Sequence, residues 1–297
     1  MDNETFPPDP AVEHPDCPLC GQPSERWRQQ HGFWIRDCTA CGHRFAELRT
    51  NHDHPAAVYG DDYFTGGGAG YPNYLAEADL LRQQGWRYAE LMERHRATGT
   101  MLDVGSAAGF ILQGFLDRGW RGHGIEPNPS MVRYAQQTLG VPVNVGTLED
   151  SPEADGAFDL VTMIQVAAHF FDVKQAFAAA VRQTKPGGYW LIETWNCKSW
   201  TARILRTRWH EYSPPSVLHW FNPDNLSRFA AVQGFEEVER GHPAKFISGA
   251  HAKSLLRFKL HDRPAGKLFV KVLDLLPDHW RIRYPAEDLF WILLKKR

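Results

Sequence analysis

Four of the five cysteines stand in two closely spaced pairs near the start of the sequence. Each pair has the form Cys-x-x-Cys-Gly, seventeen residues separate the pairs, and the positions are Cys17, Cys20, Cys38 and Cys41. Two residues between thiolates let one tight turn present both sulfurs to a single ion, and four thiolates close a tetrahedral shell, which is typical of structural zinc. The alternative is a pair of disulfides in a secreted protein. It is disfavoured because residues 1–12 are acidic and proline-rich rather than a signal sequence.

A second group of residues that could bind a ligand forms a turn of small residues after a strand-like run. The run contains Asp103 and ends at Val104, and the turn and the start of the next helix are Gly105, Ser106, Ala107, Gly109 and Phe110. Such a turn lets a ligand approach the backbone and the free N–H groups of a helix start. Glu126 follows 21 residues after Gly105, at the end of the next predicted strand. Because a carboxylate there can accept both hydroxyls of a ribose, the pair predicts a nucleoside-containing ligand.

The elements that must position these residues alternate between helical and strand patterns. Amphipathic periodicity predicts helices over 76–95, 110–118, 131–139, 173–183 and 223–233. Apolar runs predict strands over 100–104, 122–126, 141–145, 158–163, 188–193 and 235–239, with a final strand over 287–294. This alternation predicts an α/β fold with a doubly wound, mostly parallel sheet.

The spacing of the glycine turn differs from the dinucleotide fingerprint G-x-G-x-x-G. It resembles motif I of class I S-adenosylmethionine-dependent methyltransferases, and the residues around Glu126 resemble the family's ribose motif. The resemblance covers about residues 76–240. It implies a seven-stranded sheet whose last strand is antiparallel, with S-adenosylmethionine as cofactor. It further implies that Thr147 and Leu148 flank adenine and that Gln165 reaches the methionine moiety. Asp103 would bind the amino acid end of the cofactor or orient the turn.

The ribbon and this core together resemble bacterial methyltransferases of sugar and secondary-metabolite pathways. The resemblance includes a substrate-side stretch, of the usual form P-E-H-L-x-Y-F-S, in which this chain has Ser216-Val217 in place of Glu-His. After the fourth strand, where members often have Glu-His, the chain has Ala168-His169. We expect His169 to be the general base, because histidine titrates near neutral pH and this position lies at the edge where the methyl group should project. Further candidates for base or substrate orientation are His210, Glu211, Tyr212 and His219.

Charge and composition limit the functions that remain. The net charge is −2 over 297 residues, which argues against a chain whose main task is to wrap nucleic acid or to coat anionic membranes. No apolar run reaches the roughly 20 residues of a membrane helix, so we expect no membrane insertion and a cytoplasmic location. The first fifty residues carry five basic and eight acidic groups, whereas residues 251–297 carry eleven and five.

These observations lead to one principal function and two alternatives. We expect a methyltransferase whose acceptor is a small molecule, such as a hydroxyl of a sugar, nucleotide-sugar, glycolipid or natural product. An RNA methyltransferase is the first alternative, because zinc ribbons also precede class I cores that act on RNA and the C-terminal region is basic. The second is a non-catalytic partner protein that kept the cofactor pocket.

The same patterns predict three parts of the chain. Residues 1–43 form the zinc-ribbon segment, with a hairpin between the cysteine pairs, and 44–75 form an aromatic and glycine-rich linker or lid. Residues 76–297 form the methyltransferase domain, in which about 241–286 are a helical cap inserted before the last strand. The ribbon is too small for a core of its own and should depend on metal for folding.

Overall fold

The structure is a computed structural model, and it describes residues 16–65, 73–244, 246–249, 253, 277, 280–283 and 286–297. The strands are β1 Ser24–Gln30, β2 Phe33–Cys38, β3 Arg44–Glu47, β4 Thr100–Val104, β5 Arg121–Glu126, β6 Val143–Val145, β7 Phe158–Ile164, β8 Thr184–Trp195, β9 His219–Trp220, β10 Phe235–Gly241, β11 Phe246–Ser248, β12 Arg281–Arg283 and β13 Leu289–Lys296. The α-helices are α1 His54–Val58, α2 Asp61–Thr65, α3 Ala78–Glu93, α4 Phe110–Asp117, α5 Pro129–Tyr134, α6 Val173–Gln183, α7 Trp200–Leu205 and α8 Pro223–Val232.

The main sheet has seven strands in the order β10-β13-β8-β7-β4-β5-β6. The pairs β6/β5, β5/β4, β4/β7 and β7/β8 are parallel, whereas β13 pairs antiparallel with both β8 and β10. The predicted seven-stranded sheet with an antiparallel last strand is therefore confirmed. Because β4, β5, β7 and β8 are parallel, their carboxyl ends meet at one edge, and the residues after them can form one site.

Two apolar clusters cover the two faces of this sheet. Successive residues of β4 point to opposite faces, so Leu102 belongs to the cluster that includes α6 and α8, whereas Met101 belongs to the cluster that includes α3 and α4. Helix α6 has the predicted bounds, and it begins where Asp172 accepts a hydrogen bond from the Gln175 backbone N–H at 2.9 Å. Both faces of the sheet are therefore buried.

A second, four-stranded sheet contains the ribbon, in the order β1-β2-β3-β9. It contains the predicted hairpin, formed by β1 and β2, but it extends past the predicted segment end at residue 43. Strand β3 pairs with β2 on one side. On its other side it pairs with β9, a strand of the main domain much later in the sequence, and Phe45 is opposite His219. Strand β9 of the main domain thus covers the edge of β3, whose backbone groups would otherwise be unpaired.

The predicted helical cap over about 241–286 lies mostly outside the described residues. In the part that is described, β11 and β12 form an antiparallel pair that joins the two ends of this insertion. The glycine run at 66–70 also lies outside the described residues.

Candidate functional site at the carboxyl edge of the sheet

The turn between β4 and α4 is built around two glycines with left-handed backbone. Gly105 has φ of +66° and Gly109 has φ of +80°. A Cβ added at Gly105 would lie 2.7 Å from Val166 Cγ2, and one at Gly109 would lie 2.9 Å from Val141 Cγ1. Both the backbone conformation and the close packing therefore require glycine. The result is a compact turn that leads directly into α4.

Glu126 ends β5 directly beside this turn and is 4% exposed. Its two carboxylate oxygens accept backbone N–H groups of Ala107 and Asn128, each at 2.9 Å. A carboxylate offers about four lone-pair sites, so acceptor positions remain for a ligand. Burial raises the pKa of Glu126 to about 7, although the two backbone N–H donors act in the opposite direction.

Asp103 is buried under the turn and bonds to two hydroxyls. Ser106 Oγ donates to its carboxylate at 2.9 Å and Thr162 Oγ1 donates at 2.6 Å. Burial raises the pKa of Asp103 to about 6. These bonds join the end of β4 to the turn.

Gln165 follows β7 with φ of +58° and reaches a carboxylate that sequence analysis missed. Its Nε2 donates to Glu193 at 2.6 Å, and Gln84 Nε2 of α3 donates to the same carboxylate at 2.8 Å. The Tyr88 hydroxyl of α3 also donates to Glu193. Glu193 is fully buried. A signal was present, because Gln84 and Tyr88 are spaced i and i+4 and place two polar groups on the apolar face of α3.

The residues expected around adenine lie after β6. Leu148 is 1% exposed, and Thr147 Oγ1 bonds within its own turn to Asp150 at 3.4 Å.

Phe110 lies on the other side of the glycine turn, with its ring centre 5.7 Å from that of Tyr74. Its neighbours Phe64, Ala107 and Met131 belong to the same apolar cluster. Phe64 and Tyr74 of segment 44–75 thus pack on the glycine turn.

His169 ends a short 3-10 turn after β7, in contact with two separate segments. Its Nδ1 lies 2.7 Å from the Ser216 carbonyl oxygen and 3.0 Å from the Tyr59 hydroxyl, and that hydroxyl donates to the same carbonyl at 2.6 Å. Because a carbonyl only accepts, we assign the proton to Nδ1, which leaves a lone pair on Nε2. Burial lowers the pKa of His169, so its ring is neutral at pH 7.

Tyr59 joins His169 to the residues around Glu126. Its backbone carbonyl accepts from Asn128 Nδ2 at 2.9 Å, and Asn128 in turn donates its backbone N–H to Glu126. Burial, with the nearby charges of Glu149 and Glu126, raises the pKa of Tyr59 well above its usual range. The structure therefore brings the glycine turn, Glu126 and His169 together at one edge. Sequence analysis placed Tyr59 in the aromatic loop but gave it no role.

The other catalytic candidates lie in different surroundings. His219 uses both ring nitrogens, with Nε2 3.0 Å from the Phe170 carbonyl and Nδ1 3.2 Å from His43 Nε2, so neither is free to act as a base. Burial lowers the pKa of His219 to about 4. Tyr212 bonds to Arg44 at the ribbon contact, where burial raises its pKa to about 12. His210 is partly exposed and pairs with Glu211.

The four paired cysteines converge on one point in the ribbon. Their sulfurs all lie within 4.8 Å of one another, with Cys17 to Cys41 at 3.7 Å and Cys20 to Cys38 at 3.5 Å. Disulfide sulfurs would be about 2.05 Å apart. Tetrahedral zinc with Zn–S bonds of about 2.3 Å places its sulfurs about 3.8 Å apart. The cluster therefore fits a zinc ribbon and does not fit disulfides.

The ribbon contacts the main domain through more than the β3/β9 pair. The Ala46 backbone N–H donates to the Leu218 carbonyl at 2.8 Å, next to the bond between His43 and His219. The Trp27 ring of β1 lies 5.1 Å from the Tyr212 ring of the main domain, measured between ring centres. His219 in turn holds the carbonyl of Phe170, the residue after His169. The ribbon is thus packed directly behind the segment that carries His169.

No helix in the described part of the chain is long and apolar enough to cross a membrane.

Comparison with known proteins agrees with this architecture. A family model described as a methyltransferase domain matches residues 76–240. A ubiquinone biosynthesis O-methyltransferase of Paramagnetospirillum magneticum is 30% identical over 45% of this chain and 56% of its own length. An uncharacterized methyltransferase of Schizosaccharomyces pombe is 28% identical over 40% and 48%. The chain therefore spans about half the length of the curated relatives it matches.

Solved structures show the same fold at low sequence identity. The YcgJ protein from Bacillus subtilis has a TM-score of 0.51 at 18% identity, over 72% of this chain and 98% of that one. An S-adenosylmethionine-dependent methyltransferase from Archaeoglobus fulgidus has a TM-score of 0.51 at 15% identity, over 75% and 99%. With the family model covering more than half of its length, the chain belongs to the methyltransferase domain family of the class I, S-adenosylmethionine-dependent fold.

Proposed function

We propose that the protein transfers a methyl group from S-adenosylmethionine to a hydroxyl of a small molecule, with His169 as the general base. The observation that carries the proposal is the geometry of His169. Its Nδ1 is engaged by the Ser216 carbonyl, its ring is neutral, and Tyr59 and Asn128 connect it to Glu126. The acceptor class is a sugar, nucleotide-sugar, glycolipid or natural product. Relatives named ubiquinone biosynthesis O-methyltransferases support an oxygen acceptor.

The reaction needs alignment and one proton transfer. S-adenosylmethionine would supply the methyl group on a sulfonium, and the protein would hold the acceptor oxygen in line with it, so that a carbon–oxygen bond would replace the carbon–sulfur bond. The proton of the hydroxyl passes to His169 Nε2, and the resulting positive charge is stabilised by the Ser216 carbonyl at Nδ1. The proton is later released to solvent. Tyr59 holds the ring in place through Nδ1 without removing the lone pair from Nε2.

Residues at the strand ends would hold the cofactor. In this proposal Glu126 accepts the ribose hydroxyls, the Gly105–Gly109 turn faces the amino acid end, and Gln165 lies beside the methionine moiety. Leu148 and Thr147 flank the adenine. The described aromatic residues of segment 44–75 form one wall of a lid, because Tyr59 and Phe64 already pack against the site residues.

Replacing Glu126 by alanine should weaken cofactor binding at least about 100-fold. The change removes two charge-assisted hydrogen bonds to the ribose. The loss of each bond costs about 1.5–3 kcal/mol of binding free energy, because the ribose hydroxyl remains without its acceptor. Titration calorimetry with S-adenosylhomocysteine measures the effect. Glu149→Ala is a matched control, since Glu149 is another buried carboxylate of raised pKa that binds only backbone N–H groups. Parent-like affinity of Glu126→Ala would disprove the ribose assignment.

The affinity for the cofactor should fall on acidification. Because the pKa of Glu126 is raised to about 7 and the ribose needs the carboxylate form, protonation competes with binding as the pH decreases. Linkage for one group of this pKa gives a Kd about tenfold higher at pH 6 than at pH 8. Glu126→Gln should lose this dependence, and any slope that remains in the variant reports ionisation of the ligand itself. Equal slopes in parent and variant would contradict the assignment.

We also propose that the cysteine cluster binds one structural zinc ion. The sulfur separations support this, as does the hydrogen bond from the Cys41 backbone N–H to Cys38 Sγ at 3.3 Å, which stabilises a thiolate. All four ligand positions are filled by protein, so the ion would have no open site for substrate. Its role would be to hold the ribbon against the segment that contains His219.

Methyl transfer can be tested with a methyl-deuterated cofactor and a panel of acceptors. The panel contains sugars, nucleotide-sugars, glycolipids and phenolic natural products, together with total RNA. Mass spectrometry should find the deuterated methyl group on an oxygen of one small-molecule class and not on RNA. Label on RNA would favour the RNA methyltransferase alternative. Cofactor binding with no label on any acceptor would favour a non-catalytic partner protein.

A further inference from the structure

The segment that follows β8 exposes an unusual group of large apolar side chains. Trp200 is 69% exposed, Ile204 is 75% exposed and Leu205 is 37% exposed. Trp200 and Ile204 are four residues apart in α7 and therefore lie on the same face. In the part of the chain that the structure describes, the other exposed large apolar residues are spread singly over different elements. We call residues 198–208 the basic–apolar segment.

Positive charge surrounds these apolar side chains. The segment contains Lys198, Arg203, Arg206 and Arg208 and no acidic residue. All four basic side chains are exposed, and none forms a salt bridge with a described residue. Arg203 lies 5.7 Å from the centre of the Trp200 ring, so a cation and an aromatic ring are presented side by side. The net charge of −2 for the whole chain conceals this local excess.

The protein holds this segment in a defined orientation. Ser199 caps α7 by accepting from the Ala202 backbone N–H at 3.0 Å, and Ala202 packs into the core. Glu287 accepts the backbone N–H of Trp200 at 2.8 Å and that of Thr201 at 3.1 Å. The buried side and the first turn are therefore fixed, and the exposed face has no covering element among the described residues. An apolar face left exposed in this way usually marks an interaction site.

The segment also lies near the candidate site along the chain. Strand β8 ends at Trp195, on the carboxyl edge of the sheet, and α7 begins five residues later. The same connection continues to Ser216, whose carbonyl accepts from His169. A surface that docked on this face would therefore contact the connection that holds the general base.

We infer that the basic–apolar segment docks on an anionic lipid surface. Tryptophan and aliphatic side chains enter the boundary between headgroups and acyl chains, while arginine and lysine bind lipid phosphates. Single-stranded RNA is the other polyanion to consider, but RNA sites combine basic residues with aromatic stacking and gain nothing from exposed isoleucine and leucine. Ile204 and Leu205 therefore favour lipid. The docking does not depend on the proposed catalytic role of His169.

Vesicle flotation with the full chain tests this inference. The protein should float with vesicles of phosphatidylcholine mixed with phosphatidylglycerol, float poorly with phosphatidylcholine alone, and bind less at high salt. Ile204→Glu should lower the partition coefficient at least tenfold, because it places a charge in the apolar face. Arg206→Ala combined with Arg208→Ala should lower it about 25-fold, since each basic residue near an anionic surface contributes about fivefold.

Val232→Glu is the matched control, because Val232 is 84% exposed on α8, outside the segment. It should bind vesicles like the parent protein. All four positions are on the surface, so thermal melts should be unchanged and a loss of binding would not reflect unfolding. The inference would be overturned by absence of flotation, by equal binding of parent and Ile204→Glu, or by an equal loss in Val232→Glu. Binding to single-stranded RNA without binding to vesicles would overturn it as well.

Discussion

His169→Ala should lower kcat by roughly 10²–10⁴-fold, the range that removal of a general base produces. The affinity for S-adenosylhomocysteine should be retained, because His169 contacts Ser216 and Tyr59 rather than the glycine turn. The expected result is therefore a loss of turnover with little change in cofactor Kd. Methyl transfer is measured with the acceptor found in the labelling experiment, and cofactor affinity by calorimetry.

The pH profile distinguishes a base from a residue that only supports the fold. Burial lowers the pKa of His169, so at saturating cofactor the parent kcat should fall as the pH decreases through this lowered pKa. The variant should lose that limb of the profile. His210→Ala is the matched control, because His210 is partly exposed and pairs with Glu211. An unchanged kcat in His169→Ala, or the same loss in His210→Ala, would exclude His169 as the base.

Removal of the proposed zinc ion should have the largest effect on stability. Zinc-finger peptides bind structural zinc with about 10–16 kcal/mol, and a loss of only about 4 kcal/mol would lower Tm by about 8–16 °C. Cys38→Ser should therefore melt well below the parent protein and contain no zinc. Elemental analysis should find one zinc ion per chain in the parent, and a strong chelator should reproduce the lower Tm.

Cys197→Ser provides the control for this experiment. Cys197 lies outside the cluster, and its thiol contacts the Trp220 carbonyl at 3.5 Å. Its replacement should change Tm by only a few degrees and leave the zinc content unchanged. Because His43 bonds to His219 behind the His169 segment, Cys38→Ser should also reduce methyl transfer. A parent protein without zinc, or equal Tm values for Cys38→Ser and the parent, would contradict the structural zinc site.

Much of the fold could be predicted from local patterns. Helix α6 has the bounds that its apolar periodicity predicts, and β4 has those of its apolar run. The end of the ribbon sheet could not be predicted from such local patterns. Strand β9 has only two residues, too few for a periodic signal, and it is a strand only because it completes the edge of β3. The sequence alone therefore could not predict that the ribbon sheet extends to Glu47 and includes part of the main domain.

The candidate site likewise has some residues that the sequence places and others whose surroundings depend on distant segments. The glycine turn and Glu126 follow strands directly, so sequence position alone brings them to one edge. The environment of each histidine depends on contacts between distant segments. His169 and His219 look alike in the sequence, but Nδ1 of the first meets a carbonyl, whereas both ring nitrogens of the second are occupied. Glu193 was missed because its partners Gln84 and Tyr88 come from a helix about one hundred residues earlier.

A crystal structure with S-adenosylhomocysteine would show directly whether the glycine turn, Glu126 and His169 form one methyl-transfer site. We expect the ribose hydroxyls to bond to Glu126 and the sulfur to face Nε2 of His169 across a space large enough for an acceptor hydroxyl. A nucleoside bound away from the glycine turn, or a sulfur that faces away from His169 toward a different base, would contradict this expectation.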